Sequence, residues 1–351
     1  MSARKLMNGN EATAEGAIAG GCRHFFGYPI TPQSHIPEHM SWRLPEVGGV
    51  YLQAESEVAA INMCYGAAAA GARVMTTSSS PGISLMQEGI SYMIGAELPC
   101  VIVNMVRGGP GLGNIACAQS DYWLSTRGGG HGDGQCLTYA PWSIQEIYDL
   151  TMEAFALTQK YRNPLVILGD AILAQMMEPV EPRAYVSTDF PRTDWEVGGY
   201  IEGRERKVVT SIYISGEDEE ALNCRVQERY REAAKQATRW EELGDEEPEI
   251  LVCAYGIAAR VCQTAVEMVA AQGLKARLLR PISLFPFPPT PIRGWSERVK
   301  KTLVVELSMG QFVEDVRLAV EGRCPVELAW HTGGMLFSPE EVAKRLLEMK
   351  L

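Results

Sequence analysis

Short apolar runs alternate with longer stretches in which apolar residues recur every third or fourth position. The runs His24–Tyr28, Val50–Gln53, Val74–Ser78, Val101–Met105 and Leu165–Gly169 predict strands; the stretches Glu11–Gly20, Glu57–Ala70, Ile83–Ile94 and Ile144–Lys160 predict helices. Ser143, with Glu146 three residues on, is a capping-box signature for the last helix. Strand–helix alternation at this spacing predicts an α/β fold, a doubly wound parallel sheet with helices on both faces. The Glu57–Ala70 helix is so rich in Ala and Gly that close packing and burial are expected of it.

The texture changes near residue 181. Glu181–Tyr200 mixes Pro, Trp, Asp and Gly without a period and predicts an arm; Gly216–Pro248 is strongly charged and predicts a solvated helix. Pro248 opens a second α/β segment. Its strands are expected at Ile250–Ala254, Ala276–Leu279, Leu303–Glu306 and Val326–Ala329, and its helices near Ala258–Gln272, Gln311–Glu321 and Glu340–Glu348. Ser338-Pro339-Glu340-Glu341 is a well-formed helix start. The division is therefore 1–183, 184–247 and 248–351.

Composition narrows the function classes. The 351 residues carry a net charge of −11, which argues against nucleic acid as a partner. No apolar stretch approaches the ~20 residues of a membrane span. No apolar core follows the first basic residues, so no signal peptide is expected. The nine cysteines are odd in number and scattered, with no CxxC, as expected of a reduced cytoplasmic protein. That spacing offers no local zinc or iron–sulfur motif.

Candidate chemistry sits after the strands, where a doubly wound sheet opens its ligand crevice. Gly27-Tyr28-Pro29-Ile30-Thr31-Pro32 is a plain turn or a rigid mount for the Thr31 hydroxyl. Glu55 and Glu57 are acids favoured by a helix start, or one of them is a carboxyl in an apolar pocket exchanging a proton with a bound ring. Ser78-Ser79-Ser80-Pro81-Gly82 is a short connection or a place where a ligand meets backbone. Arg107, followed by Gly108-Gly109-Pro110-Gly111, either pairs with a neighbouring acid or grips a substrate carboxylate. His131, in the loop Gly128–Gly134, is a structural residue or an acid–base group. Gly132-Asp133-Gly134 and Gly169-Asp170 imitate the start of a diphosphate–metal motif, but the chain contains no Asn-Asn pair to complete it. No GxGxxG follows a strand, which excludes a nicotinamide-binding unit.

The segments GNEATAEGAIAGGCRHFFGYPITP, QAESEVAAINMCYGAAAAGARVMTTSSSPGISLMQEGI, CVIVNMVRGGP and VVELSMGQ together resemble the alpha-type subunit of 2-oxoacid:ferredoxin oxidoreductases over nearly the whole chain. The resemblance implies a thiamine-diphosphate pyrimidine-type domain, an arm with a charged helix, and a transketolase C-terminal-like domain. It implies oxidative decarboxylation of a 2-oxoacid with coenzyme A to acyl-CoA, carbon dioxide and reduced ferredoxin. Glu57 matches the acid that meets the aminopyrimidine and promotes the imino tautomer that activates the cofactor. Thr31 and Arg107 match the positions that hold the 2-oxoacid, while Pro29, Ser80, Pro81 and Gly82 match the cofactor's surroundings. Magnesium, the diphosphate and 4Fe–4S clusters are expected on a thiamine diphosphate/iron–sulfur beta-type subunit, beside a gamma-type and a ferredoxin-like delta-type subunit. ESEVAAINMCYGAAAAGARVMT, RGGPGLGNI and GGGHGDG look most like the branched-chain type, which acts on 3-methyl-2-oxobutanoate. A 2-oxoglutarate type, a non-catalytic assembly subunit and a transketolase-type enzyme without ferredoxin are the alternatives.

Overall fold

The chain enters the fold through a short strand, β1 (Lys5–Asn8), and turns at once into α1 (Gly9–Ala19). Asn8 caps this helix: its side chain accepts from the Glu11 amide at 2.9 Å, and the Glu11 carboxylate accepts from the Asn8 amide at 3.0 Å. That reciprocal pairing satisfies two free donors at a helix start. β2 (His24–Gly27) leads to α2 (His35–Glu46), β3 (Val50–Gln53) to α3 (Glu57–Ala69), and β4 (Val74–Ser78) to α4 (Ser80–Gly95). There follow β5 (Cys100–Val106), α5 (Tyr122–Thr126), β6 (Leu137–Tyr139), α6 (Ile144–Tyr161), β7 (Pro164–Asp170) and α7 (Ala171–Gln175). β8 (Met177–Val180) returns antiparallel to β1. Beyond the arm lie α8 (Gly216–Gln236), β9 (Trp240–Gly244), β10 (Ile250–Cys253), α9 (Gly256–Ala270), β11 (Ala276–Pro281) and β12 (Ser283–Phe285). The last elements are α10 (Pro289–Ser296), β13 (Lys301–Glu306), α11 (Phe312–Val320), β14 (Val326–Trp330) and α12 (Pro339–Glu348). The computed structural model describes residues 4–186, 193–200 and 202–349; part of the predicted arm lies outside the described residues.

The larger sheet has seven strands in the order β12-β6-β7-β5-β4-β2-β3, all parallel except β12. The chain leaves β2 for β3 on one side and comes back to β4 on the other. Loops diverge at such a reversal and leave a crevice at the carboxyl ends of the strands. The loops after β2 and β4 flank this point, α3 begins just beyond β3, and β5 ends next door. The second sheet, β14-β13-β10-β11-β9, is parallel except for β9. One apolar core layer joins α1, α2 and α6 through residues such as Ile18, Met40 and Phe155; another joins α3 and α4 through Ile61 and Met86 and continues into Tyr255 and Phe312 of the second sheet's side.

Several expectations change. α3 is buried on one side only: Ala60, Ile61, Cys64 and Ala68 are covered, while Val58, Asn62, Gly66 and Ala70 form an exposed row. Small residues permit close packing on every side of a helix without saying which side is used. α8 is not solvated all round, because Leu222, Val226, Tyr230 and Ala233 are buried on one stripe. The helix stops at Gln236, and the acids that extended its pattern belong to β9, where Glu242 meets Arg277 at 3.0 Å and Glu241 meets Arg280 at 2.7 Å. Ser143 caps α6 as expected, but Glu146 turns its carboxylate to the Trp142 amide and to Arg280.

Glu15 ties α1 to α2, accepting from Arg43 at 2.6 Å and lying 2.8 Å from His39. Burial alone would raise its proton affinity, but the bonds and charges of His39 and Arg43 prevail and hold the carboxyl down at about 2, against an ordinary 4.5. A carboxyl depressed on folding adds stability above its unfolded value and loses it as the pH falls through the folded one. Glu15→Gln should therefore lower stability near neutrality by about 1–3 kcal/mol. In urea titrations the gap to the parent should narrow between 4.5 and about 2. A gap independent of pH would show that the carboxylate charge does not act there.

Candidate cofactor and substrate site

Glu57 opens α3, with Ser56 as its cap: the Ser56 hydroxyl accepts from the Ala59 amide at 3.2 Å. The Glu57 side chain is 6% exposed and leans across onto the first turn of α4. A methyl group added at Gly82 would lie 2.5 Å from Glu57 Oε1 and 2.0 Å from Ser78 Oγ, so only glycine leaves room for this carboxylate. Ser78 ends β4; its buried hydroxyl has no hydrogen-bond partner. Glu55, two residues before Glu57, is exposed.

Arg107 follows β5 and is 8% exposed. Its Nη1 donates to the Thr31 carbonyl at 3.0 Å and its Nη2 to the Leu112 carbonyl at 3.2 Å, while Nε is buried without a partner. Among the described residues no carboxylate pairs with it, which overturns the neighbouring-acid reading. Buried cations are costly unless an anion compensates them. The guanidinium thus suits an incoming carboxylate. The glycines after it fold the chain back on itself: Gly113 has φ +57, and a Cβ there would lie 1.7 Å from the Gly108 carbonyl oxygen.

Thr31 is brought to Arg107 through its backbone, with its side chain exposed, and Pro29 is exposed on the same loop. Residues the motifs did not single out hold that loop. Gln33 donates to the Tyr28 carbonyl at 3.0 Å and accepts from Thr77 at 2.6 Å, and Asn10 donates to the Pro32 carbonyl at 2.9 Å. Ser80 accepts from the Arg107 amide at 3.1 Å and donates to its carbonyl at 3.2 Å. The Ser80 amide donates to Asn104 at 3.2 Å, and Asn104 donates to Asp121 at 2.9 Å. Burial raises the Asp121 carboxyl's proton affinity, opposed by its bonds to Asn104 and Ser80. No spacing in the sequence links positions 80, 104 and 121; only the adjacency of β4 and β5 brings them together.

His131 stands apart. It is exposed, edge-on to Tyr92, in a loop that rests on α4 near Ser91, roughly 13 Å along the helix from Gly82 at ~1.5 Å per residue. Asp133 is exposed in the same loop. Asp170 caps α7, accepting from the Ile172 and Leu173 amides, and burial raises its proton affinity. Glu306 of the VVELSMGQ segment is fully buried and accepts from the Gln311, Phe312 and Val313 amides at the start of α11. It therefore occupies that anion site itself. Among the described residues no three His, Cys, Asp or Glu side chains gather as metal ligands, and no helix is long and apolar enough to cross a membrane.

The architecture, two α/β sheet layers in succession, is a transketolase-like fold. A split-gene transketolase shares it with a TM-score of 0.61 at 12% identity, covering 97% of each chain. The chain belongs to the pyruvate flavodoxin/ferredoxin oxidoreductase family, that is, the 2-oxoacid:ferredoxin oxidoreductases. Residues 15–243 match "Pyruvate flavodoxin/ferredoxin oxidoreductase, thiamine diP-bdg" and residues 248–342 match "Pyruvate:ferredoxin oxidoreductase core domain II". It is 48% identical to the ketoisovalerate oxidoreductase subunit VorB of Methanothermobacter thermautotrophicus, over 99% of this chain and 98% of that protein. It is 35% identical to the 2-oxoglutarate synthase subunit KorA of the same organism, over 99% of this chain and 100% of that protein. A 2-oxoglutarate:ferredoxin oxidoreductase from Magnetococcus marinus, solved with 2-oxoglutarate, coenzyme A and succinyl-CoA bound, is similar with a TM-score of 0.88 at 27% identity. That match covers 99% of this chain and 65% of the Magnetococcus chain.

Proposed function

We propose that this chain is the pyrimidine-binding subunit of an oxidoreductase that converts 3-methyl-2-oxobutanoate and coenzyme A to the branched acyl-CoA and carbon dioxide, passing two electrons to ferredoxin. The observation that carries this reading is the 48% identity to a ketoisovalerate oxidoreductase subunit along nearly the whole chain. The residues fit the cofactor's ring: a buried acid beside a glycine cradle, with an unpaired hydroxyl at its edge. When bound, thiamine diphosphate supplies a carbanion and an electron sink for decarboxylation. Glu57 would exchange a proton with the pyrimidine nitrogen, Gly82 would leave space for that contact, and Pro29, Ser80 and Pro81 would line the ring's surroundings. Arg107 would hold the 2-oxoacid carboxylate, with Thr31 beside it. Residues 1–183 would form the pyrimidine domain, 184–247 the arm and charged helix, and 248–351 the transketolase C-terminal-like domain.

The diphosphate, Mg²⁺ and 4Fe–4S clusters would reside on a beta-type subunit, with gamma-type and ferredoxin-like delta-type subunits completing a cytoplasmic complex. The broken diphosphate motif and the absence of CxxC in this chain support that division. A branched aliphatic substrate also suits the mouth of the site. Leu112, whose carbonyl binds Arg107, is 81% exposed, and Ile115 is 61% exposed.

The test is a panel of 2-oxoacids given to the anaerobically reconstituted complex, with viologen reduction as the readout. The branched substrate should give the highest kcat/KM. A higher value for 2-oxoglutarate would overturn the substrate assignment, and no reduction with any 2-oxoacid would overturn the reaction.

A further inference from the structure

We infer that Ser78 is a positioning residue for the Glu57 carboxyl, an inference that rests on the proposed role of Glu57 as the acid facing the cofactor's ring. Ser78 is fully buried at the end of β4, and its hydroxyl is one of the few buried polar groups without a hydrogen-bond partner. A hydroxyl is seldom sealed away unpaired, because that costs free energy which alanine would avoid. Ser78 and Glu57 crowd the same point. The position a Gly82 methyl would occupy lies 2.0 Å from Ser78 Oγ and 2.5 Å from Glu57 Oε1, so the two oxygens are separated by no more than the sum of these distances. The two groups thus lie on one side of the same narrow space, and hydroxyl and carboxylate are a natural donor–acceptor pair.

Few competing groups face this point. β4 carries no ionisable side chain, β2 has His24 at its far end, and β5 has Cys100 at its start. On α4 the ionisable groups are Glu88 and Tyr92, which are bonded to each other beyond the first turn. Arg107 turns to the Thr31 and Leu112 carbonyls, Asp121 is engaged by Asn104, and Glu55 is exposed. Ser78 therefore acts on Glu57 at short range. Donating to one carboxylate oxygen, it orients the other toward the ring.

The experiment uses Ser78→Ala and Ser78→Cys in the reconstituted complex and in the full chain alone. With thiamine diphosphate bound and no 2-oxoacid present, the circular dichroism of the bound pyrimidine is followed against pH. Ser78→Ala should move its transition by about one unit, because the acid facing the ring loses the donor that orients it; one unit corresponds to ~1.4 kcal/mol. Ser78→Cys, close in size and a weak donor, should fall between the two. In the full chain without cofactor, the infrared band lost in Glu57→Gln identifies the Glu57 carboxyl, and Ser78→Ala should shift that band. An unmoved infrared band together with an unmoved pH transition would overturn the inference. A pyrimidine transition that persists in Glu57→Gln would instead overturn the cofactor role of Glu57, and the infrared shift alone would then decide whether Ser78 holds that carboxyl.

Discussion

Glu57→Gln in the reconstituted complex is expected to lose about a hundred- to ten-thousand-fold in turnover, the range a positioned acid–base group contributes, with assembly and melting temperature little changed. Gln matches Glu in shape and still fits beside Gly82, but it cannot give or take the ring proton. Among the described residues no substitute stands ready: Glu55 is exposed, Asp121 is engaged by Asn104, and His131 lies well along α4. The loss should appear in the rate of exchange of the cofactor's acidic carbon-bound proton as well as in kcat, because both depend on the same ring proton. Turnover within a few-fold of the parent would remove Glu57 from the chemistry and return it to the role of an acid stabilising a helix start. Full activity there would also revive the reading of this chain as an assembly subunit.

The second large effect concerns Arg107. Arg107→Ala should lower kcat/KM for the 2-oxoacid by about 10- to 150-fold, the equivalent of ~1.5–3 kcal/mol for a hydrogen bond to a charged group. Most of the change should lie in KM. Among the described residues the buried guanidinium is balanced by two carbonyls and no carboxylate, so an anionic substrate gains its full attraction. Arg107→Lys should recover little, because an ammonium cannot reproduce the planar fork. Cofactor affinity should be unaffected in both variants. An unchanged dependence on 2-oxoacid concentration would make Arg107 a clasp between the Thr31 and Leu112 loops and nothing more.

Much of the candidate site could be proposed from sequence because its residue types are demanding. Glycine at 82, paired prolines around Thr31 and an arginine among glycines each narrow the local backbone or surroundings, so their positions stood out before any contact was known. The supporting residues did not stand out. Gln33, Asn104 and Asp121 are ordinary polar residues whose meaning depends on which strands lie side by side. The choice between Glu55 and Glu57 was likewise invisible to spacing; the resemblance favoured Glu57, and burial separates the two.

The fold divides along the same line. Alternation of apolar strands with periodic helices determined, from sequence alone, that both halves are parallel α/β layers, because side-chain period follows directly from backbone geometry. The short β1, β6 and β8 and the antiparallel β9 and β12 were missed. β9 is short, charged and at a sheet edge, so it shows no apolar run, and its acids pair with Arg277 and Arg280 of a distant strand. β12 has three residues and exists only because β6 offers an open edge. Local pattern decides what a segment can bury. Which edge it completes, which side of α3 stays uncovered and which acid is sealed in depend on partners far along the chain, and those are set when the layers pack.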